Sequence, residues 1–205
     1  MPDDSLIPIS DEQAKLGQEA LKVLRGLGSF LERALGDLPE TLVNYLGGDW
    51  LRVRRAENLR MMLLRARERL EARGVAAPIS PSLTVTLPLF RGAADESREE
   101  LQEIWARLLA AAMDPSRADR VRLRFFEALQ KLEPLDARVL SRLPRGAAID
   151  QAGRNRLKKD LSISEDELDV SLWNLEKVEL FSAPKQLAVS SISAFGRELL
   201  RAIAD

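Results

Sequence analysis

The chain has 205 residues, 45% hydrophobic, 31% charged and 5% aromatic, enough for one large helical domain or two small ones with real cores. Its 31 basic and 32 acidic residues nearly cancel, so no global field draws it to nucleic acid or an anionic membrane; such binding needs a local patch. With neither cysteine nor histidine it has no disulfide, thiol nucleophile, thiolate or imidazole metal site, and no Ser-His-Asp triad.

In chain order, the acidic opening "MPDDSLIPIS" lacks the apolar core of a secretory signal, which leads to the expectation of a soluble, cytoplasmic protein. Ser10 and Gln13 form a capping-box pattern ahead of a helix through about Leu27, with Leu16, Ala20, Leu24 and Leu27 on one face. Gly26 and Gly28 loosen that helix, and Asp37-Leu38-Pro39 restarts it. Leu42, Val43, Tyr45 and Leu46 follow, closed by Gly47-Gly48. Asp49 then caps the longest helix, over 50–73, which stops at Gly74.

From Gly74 to Phe90 run 17 uncharged residues, but three prolines make this a stiff connector and a poor membrane helix. Within it Leu83-Thr-Val-Thr-Leu87 alternates like a short strand. The next helix carries Leu101, Ile104, Trp105, Leu108, Leu109 and Ala112 as one stripe. Asp95, Glu96, Glu99 and Glu100 crowd its first turns, where the helix dipole favours acids. A helix over about Arg122–Lys131 buries Phe125, Leu129 and Phe126.

Beyond Pro134 short elements follow closely: helix, the strand "AAID", helix, helix, two strands around "APK" with Leu187 and Val189 on one face, and a last helix capped by Ser193. This is the order of a winged helix. The expected fold is therefore mainly α: an N-terminal helical domain over 1–132, followed by a winged-helix-like α+β module over 133–205.

Two charged helices stand out. Over Leu51–Arg73 eight arginines oppose three glutamates, a surplus of five, beside the stripe Leu59, Met62, Leu63, Ala66 and Leu70. Arg52, Arg55, Arg60, Arg65 and Arg67 are the candidate partner-binding residues here. A basic amphipathic helix suits an acidic partner helix, non-specific nucleic acid or an anionic membrane surface. The alternative is that it packs on the protein's own core, neutralised by the acids of Asp95–Glu103. In the module, the third helix stands where a winged helix reads DNA, yet over Ser164–Lys177 five acids face a single base. Phosphates repel such a helix, so the module reads as protein-binding or purely structural, with Glu165, Asp166 and Asp169 the candidates for contact with protein. The preceding helix carries Arg154, Arg156, Lys158 and Lys159, a patch able to touch phosphate or to pair with the acidic neighbour.

Trp50, Trp105 and Trp173 read as core or interface anchors. Glu99 and Glu103 could together hold Mg²⁺, but no Asp-rich loop accompanies them, and "RGLGSF" lacks phosphate-loop spacing. No catalytic site, cofactor or metal is expected.

Several stretches resemble the Abi-alpha family of bacterial abortive-infection proteins: "RVRRAENLRMML" with Asn58, "ADESREELQEIWARLLAAAMDP", "RFFEALQKLEPLDARVLSRL" and "SISAFGRELLRAI". The likeness spans about Gly26 to Ile203, and before the long helix the apolar stretch is shorter and broken by Glu and Asp. The resemblance implies a role in defence against phage or mobile elements and brings no catalytic residue with it. Three functional readings follow: an interaction or sensor protein with a protein partner or a second copy of itself, a nucleic-acid-binding regulator using the Arg-rich helix, and a membrane-surface effector.

Overall fold

The computed structural model describes residues 28–35, 51–143, 149–182 and 191–204. The expected helix up to Leu27, the Leu42–Leu46 set, the Asp49 cap with Trp50, and the hairpin turn with Leu187 and Val189 lie outside these residues. Among the described residues the fold is mainly helical, with one two-stranded antiparallel sheet. The first helix, α1 (Gly28–Leu35), lies where the glycines led the sequence pattern to be read as loosened; it buries Phe30 and Ala34, one turn apart.

The long helix α2 (Leu51–Ala72) contains no glycine or proline and consists largely of strong helix formers. Its buried stripe is Ala56, Leu59, Met62, Leu63, Ala66 and Leu70. Gly74 ends it at φ +68°, a left-handed position that glycine takes without strain. There the Gly74 and Val75 amides donate back to the Glu71 and Leu70 carbonyls at 2.9 and 3.0 Å.

Residues 83–87 are not a strand. They open helix α3 (Leu83–Asp95), which runs through Pro88. Thr86, Leu89, Phe90, Ala93 and Ala94 are buried at helical spacing, a pattern visible only when Pro88 is not taken as a stop. The buried Thr86 hydroxyl donates back to Ser82 O at 3.0 Å, satisfying its polar atom within the helix. Packing against α4 (Glu99–Met113) is close at Gly92, where a Cβ would overlap the Trp105 ring.

The acidic run divides between these two helices. Asp95 closes α3, and only Glu99 and Glu100 occupy the first turn of α4. The reason is local: the Glu96 carboxylate takes the Arg98 amide at 2.9 Å and its guanidinium at 2.8 Å, which competes with helical continuation. Gln102, buried, donates from Nε2 to Ala93 O at 3.2 Å and also to Glu96 O, tying the two helices together.

A 3₁₀ turn (Ala118–Arg120) leads to α5 (Leu123–Leu129), whose Phe126 stacks on Trp105 with centroids 5.9 Å apart. Pro134 opens α6 (Pro134–Arg142), pre-set for a first helical position. Ile149 forms a β-bridge, after which Asp150 caps α7 (Gln151–Leu161) by accepting the Gly153 amide at 2.7 Å. Ser164 and Glu167 cap α8 (Glu165–Lys177) reciprocally, as their spacing predicts. Strands β1 (Phe181–Ser182) and β2 (Ser191–Ile192) pair Phe181 with Ile192, and Ser193 caps α9 (Ala194–Ala202). One buried apolar cluster runs from Phe30 to Ile203; α4 packs on both α6 and α9, so the core continues across residues 132–133.

Candidate interaction surfaces

Three arginines of α2, Arg55, Arg65 and Arg69, lie along one edge of a packed interface. α2 packs most extensively on α4, and ion pairs to the end of α3 and the first turns of α4 line one edge of the packing. Arg55 Nε reaches Asp95 Oδ1 at 2.6 Å, Arg65 Nη2 reaches Glu99 Oε1 at 3.1 Å, and Arg69 pairs with Glu103. Arg107 joins the same Glu103 at 2.7 Å. The two carboxylates considered for Mg²⁺ are thus held by guanidinium groups. Asn58, on this same edge, donates to Ala94 O at 2.8 Å and fixes the end of α3.

Of the arginines singled out in the sequence, Arg55 and Arg65 therefore face inward, and Arg67 pairs with Glu71 one turn along at 3.5 Å. Arg60 is exposed, with no ion pair among the described residues. Arg52 lies on α2, with its side chain outside the described residues.

A second seam joins α7 and α8. Glu165 accepts from Arg154 Nε at 2.9 Å and from Lys158, and Arg154 also reaches Asp169. Hydrogen bonds from Lys158 and Arg154 hold the Glu165 carboxyl below its usual range. Burial pulls the Arg154 guanidinium down, but its bonds to Glu165 and Asp169 outweigh this and raise it. Glu167 is likewise lowered, by the backbone and hydroxyl of Ser164. Glu165 and Asp169 are thus occupied within the chain, whereas Asp166 is exposed with no side-chain partner among the described residues.

The inner face of α8 is fixed by a network that no local sequence pattern announces. Asp136 of α6, 3% exposed, accepts from Ser171 Oγ at 2.7 Å and from the Asn174 amide, and takes the Glu133 backbone amide at 2.8 Å. A buried carboxylate with this many donors sets the position of α8 on α6. With Leu168, Leu172 and Leu175 also turned inward, Val170 and Trp173 are left on the outside, 64% and 59% exposed. Trp105 is the buried anchor expected of it; Trp173 is not buried. Its signal was available: on a helical projection Val170 and Trp173 fall opposite the leucines.

The last helix is held from outside its own segment. Arg117 Nη2 donates to Arg201 O and Ala202 O at 2.8 and 3.1 Å, Arg107 Nη1 to Ile203 O at 3.1 Å, and Arg73 Nη2 to Ala204 O at 2.5 Å. These guanidinium groups satisfy carbonyls that a helix end leaves open, and they suit the negative end of its dipole.

Among the described residues no group of three or more metal-ligating side chains is assembled, and no helix is long and apolar enough to cross a membrane. A family model described as "Abortive infection alpha" matches residues 58–193, well over half of the chain. The chain belongs to the abortive infection alpha family. The span matching this family begins at Asn58, which anchors α3, and ends at Ser193, which caps α9. Searches of curated proteins and of solved structures return no match.

Proposed function

We propose that this abortive infection alpha protein is a non-enzymatic interaction or sensor component of bacterial antiphage defence, acting in the cytoplasm through protein contacts made by its C-terminal module. The observation that carries the reading is the character of α8. The element order α6, the Ile149 bridge, α7, α8, β1, β2 and α9 supports a winged-helix-like arrangement over 133–205. In that arrangement α8 takes the position from which DNA is read, and it carries five acids against Lys177. A DNA-reading helix gains affinity by releasing counterions from phosphate, which carboxylates oppose. Of the four bases on α7, Arg154 and Lys158 are engaged by Glu165 and Asp169, which leaves only the exposed Arg156 and Lys159 to meet a phosphate backbone.

The inward engagement of Arg55, Arg65 and Arg69 argues in the same direction for the long helix. Cations held by the protein's own acids offer a weak field to nucleic acid or lipid.

Phage plating on a host with the gene deleted and then restored tests the defence role, and affinity recovery before and during infection tests the protein contact. The expected result is loss of protection on deletion and a stoichiometric protein partner. Unchanged plating together with no recovered partner overturns the reading. A salt-sensitive DNA or RNA shift that is abolished by Arg60→Glu, or flotation with anionic liposomes, replaces it with a nucleic-acid or membrane role.

A further inference from the structure

Helix α8 presents an outer face that nothing in the described chain covers. Asp166, Val170, Trp173 and Lys177 recur every three or four residues, so they form one stripe along the side opposite Leu168, Leu172 and Leu175. Two large apolar side chains adjoin at its centre, and exposed acids surround them: Glu167 on one flank, Asp169 and Glu176 on the other. The acids divide by occupation. Glu167 closes the helix cap and Asp169 holds Arg154, whereas Asp166 and Glu176 have no side-chain hydrogen bond or ion pair among the described residues.

The tryptophan ring already has a cation near it. Lys177 Nζ stands 5.1 Å from the Trp173 centroid, a distance at which an ammonium is attracted to the ring quadrupole. It marks a place that a partner's arginine or lysine would favour for the same reason. Tryptophan is also the side chain most enriched among the few residues that dominate binding at protein interfaces. An apolar centre with Asp166 at one end of the stripe and Glu176 on the flank beside the other, in a field that repels phosphate, matches a basic polypeptide in charge.

We propose that this stripe is the docking face for a basic amphipathic segment of a partner protein, whose aliphatic side chain covers Val170 and Trp173 while its lysines or arginines meet Asp166 and Glu176. The proposal rests on the protein-contact reading above and names the surface and the partner chemistry. Asp166 and Glu176 are ten residues apart, about 15 Å along a helix, so a helical partner would carry its two bases about three turns apart around the apolar residue. An Arg or Lys of the partner would take the place of Lys177 over the ring.

The test uses the full chain and a stapled helical peptide carrying arginines three turns apart around a pair of leucines, with binding followed by calorimetry and by amide shifts. The expected result is saturable binding, with perturbed amides confined to α8. Trp173→Ala should weaken it about thirtyfold, as expected for a central aromatic anchor. Val170→Asp is the decisive variant, since it adds a negative charge. General attraction between an acidic helix and a basic peptide would then strengthen, whereas the docking face as proposed would lose most of its affinity. Leu123→Asp, at an exposed apolar residue of another helix, should leave binding unchanged. Thermal melting confirms that each variant folds.

Binding equal to or tighter than wild type in Val170→Asp overturns the proposal. So does a concentration-dependent dimer that Val170→Asp dissolves while the peptide does not bind, because the occupant is then a second copy. A nucleic-acid shift lost in Trp173→Ala also overturns it. The surface and the functional reading fail separately. If the intact chain gives no protection against phage, the defence role falls and the docking face stands on its peptide data. If the chain protects, and Val170→Asp both protects and binds as wild type, the role stands and this face is wrong.

Discussion

Two pairs of oppositely charged helices hold this molecule together, and they differ in what lies behind the charges. Between α2 and α4, arginines and glutamates line the edge of an interface whose centre is apolar on both helices: Leu59, Met62, Leu63 and Ala66 on one, Leu101, Leu108 and Leu109 on the other. Between α7 and α8 the charges are as well paired, but α8 turns its apolar face mainly to α6. Its far side is left with Val170 and Trp173 in solvent. A charge surplus on a helix therefore says little about binding to another molecule. Large apolar residues that fall off the buried stripe say more.

The two tryptophans test this contrast most strongly. Trp105→Ala, on α4 and packed against Gly92 and Phe126, should lower stability by about 3–5 kcal/mol through loss of a filled core site. Trp173→Ala, on the open side of α8, should change it by less than about 0.5 kcal/mol. Chemical denaturation of both variants measures the difference, and equal losses would show that Trp173 is a core residue. Next in size is Gly92→Ala, which forces a methyl against the Trp105 ring and should cost about 3 kcal/mol by overpacking. Asp136→Ala removes the acceptor shared by Ser171, Asn174 and the Glu133 amide, and should cost about 2 kcal/mol. Its amide-exchange signature should be faster exchange in α8 than in α4.

The smallest effect is electrostatic. The carboxyls of Glu165 and Glu167 are lowered in the folded chain, so their contribution to stability is present above the ordinary glutamate range, about 4.3, and is lost as pH falls through the folded values. Arg154→Ala removes one cause of the Glu165 shift. The variant should therefore be modestly less stable than wild type at neutral pH, and the gap should narrow below about pH 4. Parallel melting curves from pH 7 to pH 3 check this; a gap that widens in acid would contradict the pairing at this seam.

How much of this was legible depended on whether the partners were near in sequence or patterned. The stripes of α2 and α4 follow one helical period, and the acids able to neutralise the arginines were identifiable because they cluster in Asp95–Glu103. Residues 83–87 were misread because alternation over five residues fits a strand, and Pro88 concealed the helical spacing that continues through Leu89, Phe90 and Ala93. Asp136 gave no signal: its partners Ser171 and Asn174 are 35 and 38 residues away, and a single aspartate near a helix start reads as a cap. The inward turn of Glu165 and Asp169 followed from their bases one helix earlier, whereas which acids stayed unpaired depended on how α7 and α8 were oriented.

The grip of Arg73, Arg107 and Arg117 on the end of α9 bears on the order in which the protein is made. These hydrogen bonds span 84 to 131 residues of chain, so their donors leave the ribosome well before the carbonyls they hold. Vectorial synthesis makes these donors before α9, so a nascent chain stalled before residue 194 would hold Arg73, Arg107 and Arg117 while the four carbonyls at 201–204 were still untranslated.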